Sequence, residues 1–424
     1  MPFSPTNHSD FQREIYGTLG TRPNYSTDPL VLESQAKEVL TKRAWGYIDG
    51  SAALGLTYKH NREAFERYPL IPRMLRDVTK RSTRVTLFGK EYDSPILAAP
   101  IGVQGIAHGD GEIATAKACE AQHVPMILST AATRTIEQAA EANGNGERWY
   151  QLYWPRTDAI TVSLLRRARE AGYTTLIVTL DTFTLGWRSR DLDESYLPFL
   201  FGQGTQIGFS DPAFEKIFAN RPATGLGDIT NLLSKMTNPL QALKLLYYAK
   251  TIKKSQAWLA EMNSSTYMSW EQLALIKENW THGPILLKGI QSVEDARLAI
   301  KHGMDGVVVS NHGGRQVSGA VASLDALANI CADPMVSSSD LTILFDSGIR
   351  TGSDVLKAMA IGADAILLGR PYIYGLACDG QRGVENVFKS LKADLEVTMG
   401  SMGIKELTKA ELQGVIGITN KPKL

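Results

Sequence analysis

A histidine followed by two glycines and an arginine, in SNHGGRQ (310–316), is the segment of this 424-residue chain best suited to chemistry. The glycines put His312 on an irregular turn, and Arg315, three residues on, reaches the same space. An imidazole is a general base near neutral pH, and a guanidinium clamps a carboxylate through two parallel N–H donors. Together they suit proton abstraction from a hydroxy acid held by its carboxylate. Two further turns, DSGIRTG (346–352) and LGRP (368–371), each combine glycine with arginine. Glycine lets the backbone approach a ligand closely and arginine brings positive charge, so the pair reads as a site for a phosphate-bearing ligand.

Each of these turns closes a short apolar run. The runs are SPILAAP (94–100), VPMILST (124–130), RWYQLYW (148–154), TTLIVTL (174–180), PILLKGI (284–290), GVVVSN (306–311), LTILFDSG (341–348) and AILLGR (365–370). They are apolar on both faces, as buried parallel strands are. Helical patterns such as TVSLLRRAREAG and GSDVLKAMAIG separate them. Strand and helix alternating eight times predict an α/β fold of the (β/α)₈ TIM-barrel type. Active sites of such barrels lie at the C-terminal strand ends, and phosphate sites follow strands seven and eight. The polar residues closing the runs are therefore the candidates: Ser129, Gln151, Tyr153, Thr179, Asp181, Lys288, Ser310, Asp346 and Arg370.

The predicted division is an N-terminal helical extension over 1–90, a barrel over 91–405 and a C-terminal tail over 406–424. A long loop after strand four, with an insertion over 190–268, breaks the rhythm; it reads as a lid above the barrel. A net charge of +1 supplies no long-range field for nucleic acid or an anionic membrane. Three cysteines, Cys119, Cys331 and Cys378, without CxxC spacing argue against a disulfide framework and a zinc site; no metal is expected. No apolar run reaches 18 residues and no signal peptide is read at the N-terminus, so a cytoplasmic location is expected, with the C-terminal Pro-Lys-Leu as a faint peroxisomal alternative.

SNHGGRQ, with QLY (151–153), TLDT (179–182), LKGI (287–290), DSGIRTG and LGRP, resembles the FMN-dependent L-2-hydroxy-acid oxidases and dehydrogenases. Within that family the segments EIYG (14–17), APIGV (99–103), LDTFTLGWRSRDL (180–192), LPFLFG (197–202) and RQVSGAVASLDAL (315–327) are most similar to lactate 2-monooxygenase. The resemblance implies bound FMN, a small lactate-like 2-hydroxy acid and O₂ as reactants, and a homotetramer or homo-octamer. It implies that His312 is the base, Asp181 its partner, and Arg188, Arg315 and Tyr47 the carboxylate site. It places Tyr153 at the substrate hydroxyl, and Lys288 at the flavin N1–C2 edge. The Ala99–Gly102 backbone would run along the flavin, with Ser129, Gln151 and Thr179 at its ring, Ser310 and Gly313 beside it, and Asp346, Gly348, Arg350, Gly369 and Arg370 at the ribityl phosphate. After Tyr47 the sequence SAALGLTYKHN departs from the family's acidic pattern.

The product is a 2-oxo acid with peroxide in a simple oxidase, or a decarboxylated acid in a monooxygenase. A barrel that binds a phosphorylated ligand without redox chemistry needs only the last two loops, and an FMN-dependent isomerase lacks the two-arginine clamp. The set His312, Asp181, Arg188 and Arg315 separates the oxidoreductase reading from both.

Overall fold

The computed structural model describes residues 4–20, 24–220 and 239–417. The Pro-Lys-Leu terminus and part of the insertion, 221–238, lie outside the described residues. Eight parallel strands close into a barrel: β3 (Ile96–Ala98), β4 (Met126–Ser129), β5 (Arg148–Tyr153), β6 (Thr175–Thr179), β7 (Ile285–Ile290), β8 (Gly306–Val309), β9 (Thr342–Phe345) and β10 (Ala365–Leu368). Each lies inside one of the eight apolar runs. Closure is made by β10 against β3, in the register Ile366↔Ile96 and Leu368↔Ala98. Residues 307–309 and 176–178 are fully buried, as strands walled by helices outside and packed side chains inside must be.

Three crossover helices start on a capping hydroxyl. Thr135 accepts from Gln138 N–H in a capping box, Ser292 accepts from Asp295 N–H, and Thr351 does the same with Asp354. The helix after β10 runs from Arg370 to Met402 and breaks at Asp379–Gly380. Among the described residues no helix is long and apolar enough to cross a membrane, and no His, Cys, Asp and Glu cluster could hold a metal.

The N-terminal segment departs from a purely helical extension. It forms α1 (Asp10–Gly17), α2 (Pro29–Val39), α3 (Lys42–Asp49) and α4 (Leu56–Glu66), then an antiparallel hairpin of β1 (Val85–Leu87) and β2 (Lys90–Tyr92). The hairpin straddles residue 90. The continuous pattern over 31–50 splits because Leu40 is extended and Thr41 caps a new helix through Ala44 N–H.

The stretch after β6 contains several helices, including Pro212–Ala219 and Pro239–Met262. It is fastened to the barrel's outer layer. Buried Asp211 caps the first of these helices, pairs with Arg167 at 3.2 Å and accepts from Ser163 at 2.8 Å. Trp258 packs edge-on to Phe214 at 5.1 Å, and the Glu261 carbonyl accepts from Arg156 N–H.

Candidate active site

The C-terminal ends of the strands open into a cleft of about 1160 Å³, open solvent included. His312 stands in it on a strained turn: its φ is +59°, followed by Gly313 at +64° and Gly314 at +74°. A left-handed histidine costs on the order of 1 kcal/mol and persists only where its surroundings hold it. Those surroundings begin with α4. Asn61 and Asn311 exchange two amide hydrogen bonds of 2.8 and 2.7 Å, and Asn311 Oδ1 accepts from Gly314 N–H. The glycines are obligatory, since a Cβ on Gly313 would lie 2.7 Å from Arg370 Nη1, and on Gly314 2.6 Å from Tyr58 N.

Asp181 Oδ1 is 2.8 Å from His312 Nδ1. Gly289, at the register shift between Lys288 and Ile290, makes the approach possible, because a Cβ there would meet Asp181 Cβ at 2.9 Å. Burial lowers the His312 pKa below the ordinary imidazole value, against the opposing Asp181 charge. Burial works to raise the Asp181 pKa, but His312 and Lys288 outweigh it and hold the carboxyl well below its usual range. The pair at neutral pH is thus a carboxylate and a neutral imidazole. With Nδ1 engaged by Asp181, Nε2 is the basic nitrogen. Tyr153 stacks beside it with ring centroids 6.5 Å apart, and burial pushes its phenol far up, so it stays a neutral donor.

Arg188 and Arg315 line the same cleft with Tyr47 from α3. Arg315 lies over the Tyr47 ring at 5.2 Å and donates to the Ile48 and Gly50 carbonyls. Burial and the neighbouring Arg188 and Arg370 pull the Arg315 pKa down to about 9, so it remains charged. Arg188 is held by Gln316 Oε1 at 3.0 Å. Arg370 donates to the same two carbonyls, Ile48 and Gly50, at 3.2 and 2.9 Å. The α3–α4 turn therefore joins the two cationic ends of the cleft.

Lys288, buried, reaches Ser310 Oγ at 2.9 Å and Asp346 Oδ2 at 3.3 Å. Burial disfavours its charge, but Asp346 and Asp181 more than offset that and raise its pKa. Ala99, Gly102, Gly313, Asp346, Gly348, Arg350, Gly369 and Arg370 all line the cleft. Ser129, Gln151, Thr179, Asp181 and Ser310 do not line it directly. The first three form a buried row at the ends of β4–β6: Ser129 donates to Gln151 Oε1 at 3.0 Å, and Gln151 Nε2 to Thr179 Oγ1 at 2.9 Å.

The donor set fits a flavin mononucleotide. Five cationic side chains line the cleft (Arg188, Lys288, Arg315, Arg350 and Arg370) against the single lining carboxylate of Asp346. That excess calls for two anionic groups, a phosphate at one end and a substrate carboxylate at the other. At the phosphate end the 33-residue helix begins on Gly369 without a side-chain cap, and a Cβ there would meet only Ile101 Cδ1, at 3.8 Å. An uncapped helix N-terminus beside Arg350 and Arg370 is a phosphate cradle.

Sequence reasoning missed several residues here. Thr182, Asn263 and Ile48 line the cleft without having been singled out, and Gln316 holds Arg188 from beside it. Thr182 lay within a quoted motif and Gln316 next to Arg315; Asn263 carried no local signal, because only the returning insertion brings it there.

Residues 36–415 match the family model described as FMN-dependent dehydrogenase. The chain is 44% identical over 404 residues to FMN-dependent alpha-hydroxy acid dehydrogenase qulF of Penicillium citrinum, covering 95% of this chain and 94% of that protein. It is 37% identical over 372 residues to an L-lactate oxidase of Lysinibacillus sphaericus, covering 88% of each. A solved structure of mandelate oxidase matches with a TM-score of 0.73 at 31% identity, over 92% of this chain and 98% of that one. The chain belongs to the FMN-dependent dehydrogenase family, the FMN-dependent alpha-hydroxy-acid oxidoreductases.

Proposed function

We propose that the cleft oxidises a small L-2-hydroxy acid to its 2-oxo acid. The observation that carries this is His312, pinned through Nδ1 by a buried carboxylate, in one cleft with two guanidiniums, Arg188 and Arg315, that form no ion pair with a carboxylate lining it among the described residues. Arg188, Arg315 and Tyr47 take the substrate carboxylate, and Tyr153 faces the hydroxyl. His312 Nε2 removes a proton, and Asp181 stabilises the resulting imidazolium. FMN, when bound, accepts the two electrons. Lys288 would supply positive charge to the reduced ring, and the Ala99 and Gly102 backbone would hold the ring. Ser129, Gln151, Thr179, Ser310 and Gly313 would serve its ring; Asp346, Gly348, Arg350, Gly369 and Arg370 would hold its ribityl phosphate.

The finer reading is a lactate-like substrate with O₂ as acceptor, and decarboxylation of the product before release. The likeness of residues 180–202 to lactate 2-monooxygenase and the 37% identity to a bacterial lactate oxidase support it. The apolar wall of Ala131, Leu185 and Phe199 beside the base fits a short side chain. A second reading, turnover with an acceptor other than O₂, is favoured by the names of the Penicillium and Schizosaccharomyces pombe relatives, both dehydrogenases. One experiment separates them. L-2-hydroxy acids of increasing size are offered anaerobically and bleaching of the flavin is followed; then O₂ uptake, peroxide, pyruvate and acetate are measured together on L-lactate. Bleaching by lactate, with acetate and CO₂ exceeding pyruvate, is expected. One peroxide per pyruvate means a simple oxidase, no O₂ uptake means a dehydrogenase, and no bleaching by any 2-hydroxy acid removes the substrate class.

Replacing Arg188 or Arg315 by lysine keeps the charge but removes the planar two-donor fork. The expected result is a fall in kcat/KM of at least about tenfold for each, the cost of one charge-assisted hydrogen bond. Steady-state kinetics unchanged in both variants would count against the carboxylate clamp.

A further inference from the structure

The carboxylate oxygen that holds His312 has a second donor. Asp181 Oδ1, besides lying 2.8 Å from His312 Nδ1, accepts from Thr182 Oγ1 at 2.7 Å, and the same hydroxyl oxygen is 3.1 Å from His312 Nδ1. Carboxylate, hydroxyl and ring nitrogen form one closed triangle. A threonine hydroxyl has one proton. With that proton on Asp181, the hydroxyl oxygen presents a lone pair to the ring, which Nδ1 can meet only by carrying hydrogen. Both neighbours of Nδ1 are then acceptors, and both select the tautomer that leaves Nε2 free. Thr182 is 4% exposed and lines the cleft. Its carbonyl accepts from Asn263 Nδ2 at 2.9 Å. Asn263 directly follows the helix Pro239–Met262, lines the cleft itself, and its own N–H is tied to Leu259 O at 2.7 Å.

We propose that Thr182 is a positioning residue that holds the orientation of His312 and its Asp181 partner, and that Asn263 is the grip by which the insertion holds Thr182 in place. This rests on the reading of His312 as the base. The insertion is then wired to the base rather than merely covering it.

The groups facing His312 are Asp181 and Arg188 from the segment after β6, Lys288 from β7 and Tyr153 from β5. Valine at 182 keeps the β-branched shape and removes only the hydroxyl. Asp181 Oδ1, no longer shared, then attracts the imidazolium more strongly, so the histidine titrates at higher pH. For Thr182→Val we expect flavin reduction at saturating hydroxy acid to fall roughly tenfold. KM should stay within about twofold, and the acid limb of kcat/KM should move up by about half a pH unit. Thr182→Ser restores both. Asn263→Ala moves the limb in the same direction by less, and the double variant is no slower than Thr182→Val alone. Imidazole ¹⁵N spectra of histidine-labelled protein report a single sharp Nδ1–H form for His312 in the wild type and, in Thr182→Val, the same tautomer with an exchange-broadened signal from a ring held less firmly.

A Thr182→Val protein with wild-type rate, limb and ¹⁵N signal overturns the proposal and leaves the base standing. An acid limb that survives in His312→Gln overturns the base assignment and the proposal with it. Should Thr182→Val not retain FMN absorbance, Asn263→Ala decides: a wild-type limb and ¹⁵N signal there overturn the coupling.

Discussion

With His312 replaced by glutamine, the protein binds FMN as before, but its reduction by the hydroxy acid slows by about 10²–10⁴-fold, the usual cost of losing a general base. Glutamine is the informative choice. Asp181 is buried, and its Oδ2 already has no hydrogen-bond partner, so alanine would strand the carboxylate and confound loss of chemistry with loss of structure. The glutamine amide still offers Asp181 a donor and cannot take up a proton. The phosphate end of the cleft lies on other loops, at Gly348–Arg350 and Gly369–Arg370, which is why cofactor binding survives. Rapid-mixing absorbance without oxygen reads the rate, and a variant reduced within threefold of wild type removes His312 from the role. In the wild type the sign of the pH dependence follows from burial. The imidazole pKa is lowered, so the neutral base is complete at pH 7. The kcat/KM profile should rise with pH only below about 6.5, the ordinary imidazole value, and stay flat above it.

The barrel was legible because parallel strands buried on both faces leave unbroken apolar runs, and every run contained its strand. The hairpin was not, because VTL and KEY are three-residue strands around a Phe-Gly turn, too short to show alternation. Residues at strand ends were legible for the same reason as the strands: once the frame is known, Lys288 or Asp346 has only one place to be. The site reads less well where it depends on chain returning from elsewhere. Asn61 of α4, the Ile48 and Gly50 carbonyls and Asn263 reach the cleft by tertiary packing alone. The insertion stood out because it breaks the strand rhythm, and the pattern over 239–254 marks one of its helices, whereas the buried anchors that fasten it, Asp211 and Trp258, carry no local signal.

Those anchors change what the insertion can do. A free loop excludes water only when it closes. Helices fastened at Arg167–Asp211 and, through Asn263, to Thr182 supply Met262 and Asn263 to the cleft's lining. Low solvent access strengthens every charge interaction inside. It also accounts for the unusual balance around the base: a buried carboxylate that stays charged, a buried imidazole that stays neutral, and an ammonium between two carboxylates that stays protonated.

Asp181→Asn tests that balance most directly, and we expect it to slow flavin reduction on the order of 10⁴-fold, as when the buried aspartate behind a catalytic histidine is lost. The amide is the same size, so the cleft keeps its shape, but three things change together. The negative charge that stabilises the imidazolium disappears. The Nδ1 proton is no longer demanded, since an amide N–H₂ can face the ring as readily as its oxygen. Lys288 loses one of the two carboxylates that raise its pKa. The pH profile separates charge from mere protonation. Removing Asp181 lowers the His312 pKa further, so more of the imidazole is neutral at any given pH, and a defect of protonation state would vanish at neutral pH. Loss of imidazolium stabilisation persists there, because it acts on the transition state rather than on the free base. The expected profile is therefore a deep, pH-independent deficit above pH 6, with the acid limb displaced downward. Binding of a non-reactive 2-oxo acid should weaken far less, since the carboxylate clamp of Arg188, Arg315 and Tyr47 does not include Asp181. A variant within threefold of wild type at pH 7 would show that the 2.8 Å contact between Asp181 and His312 is structural and that the cleft draws its basicity from elsewhere.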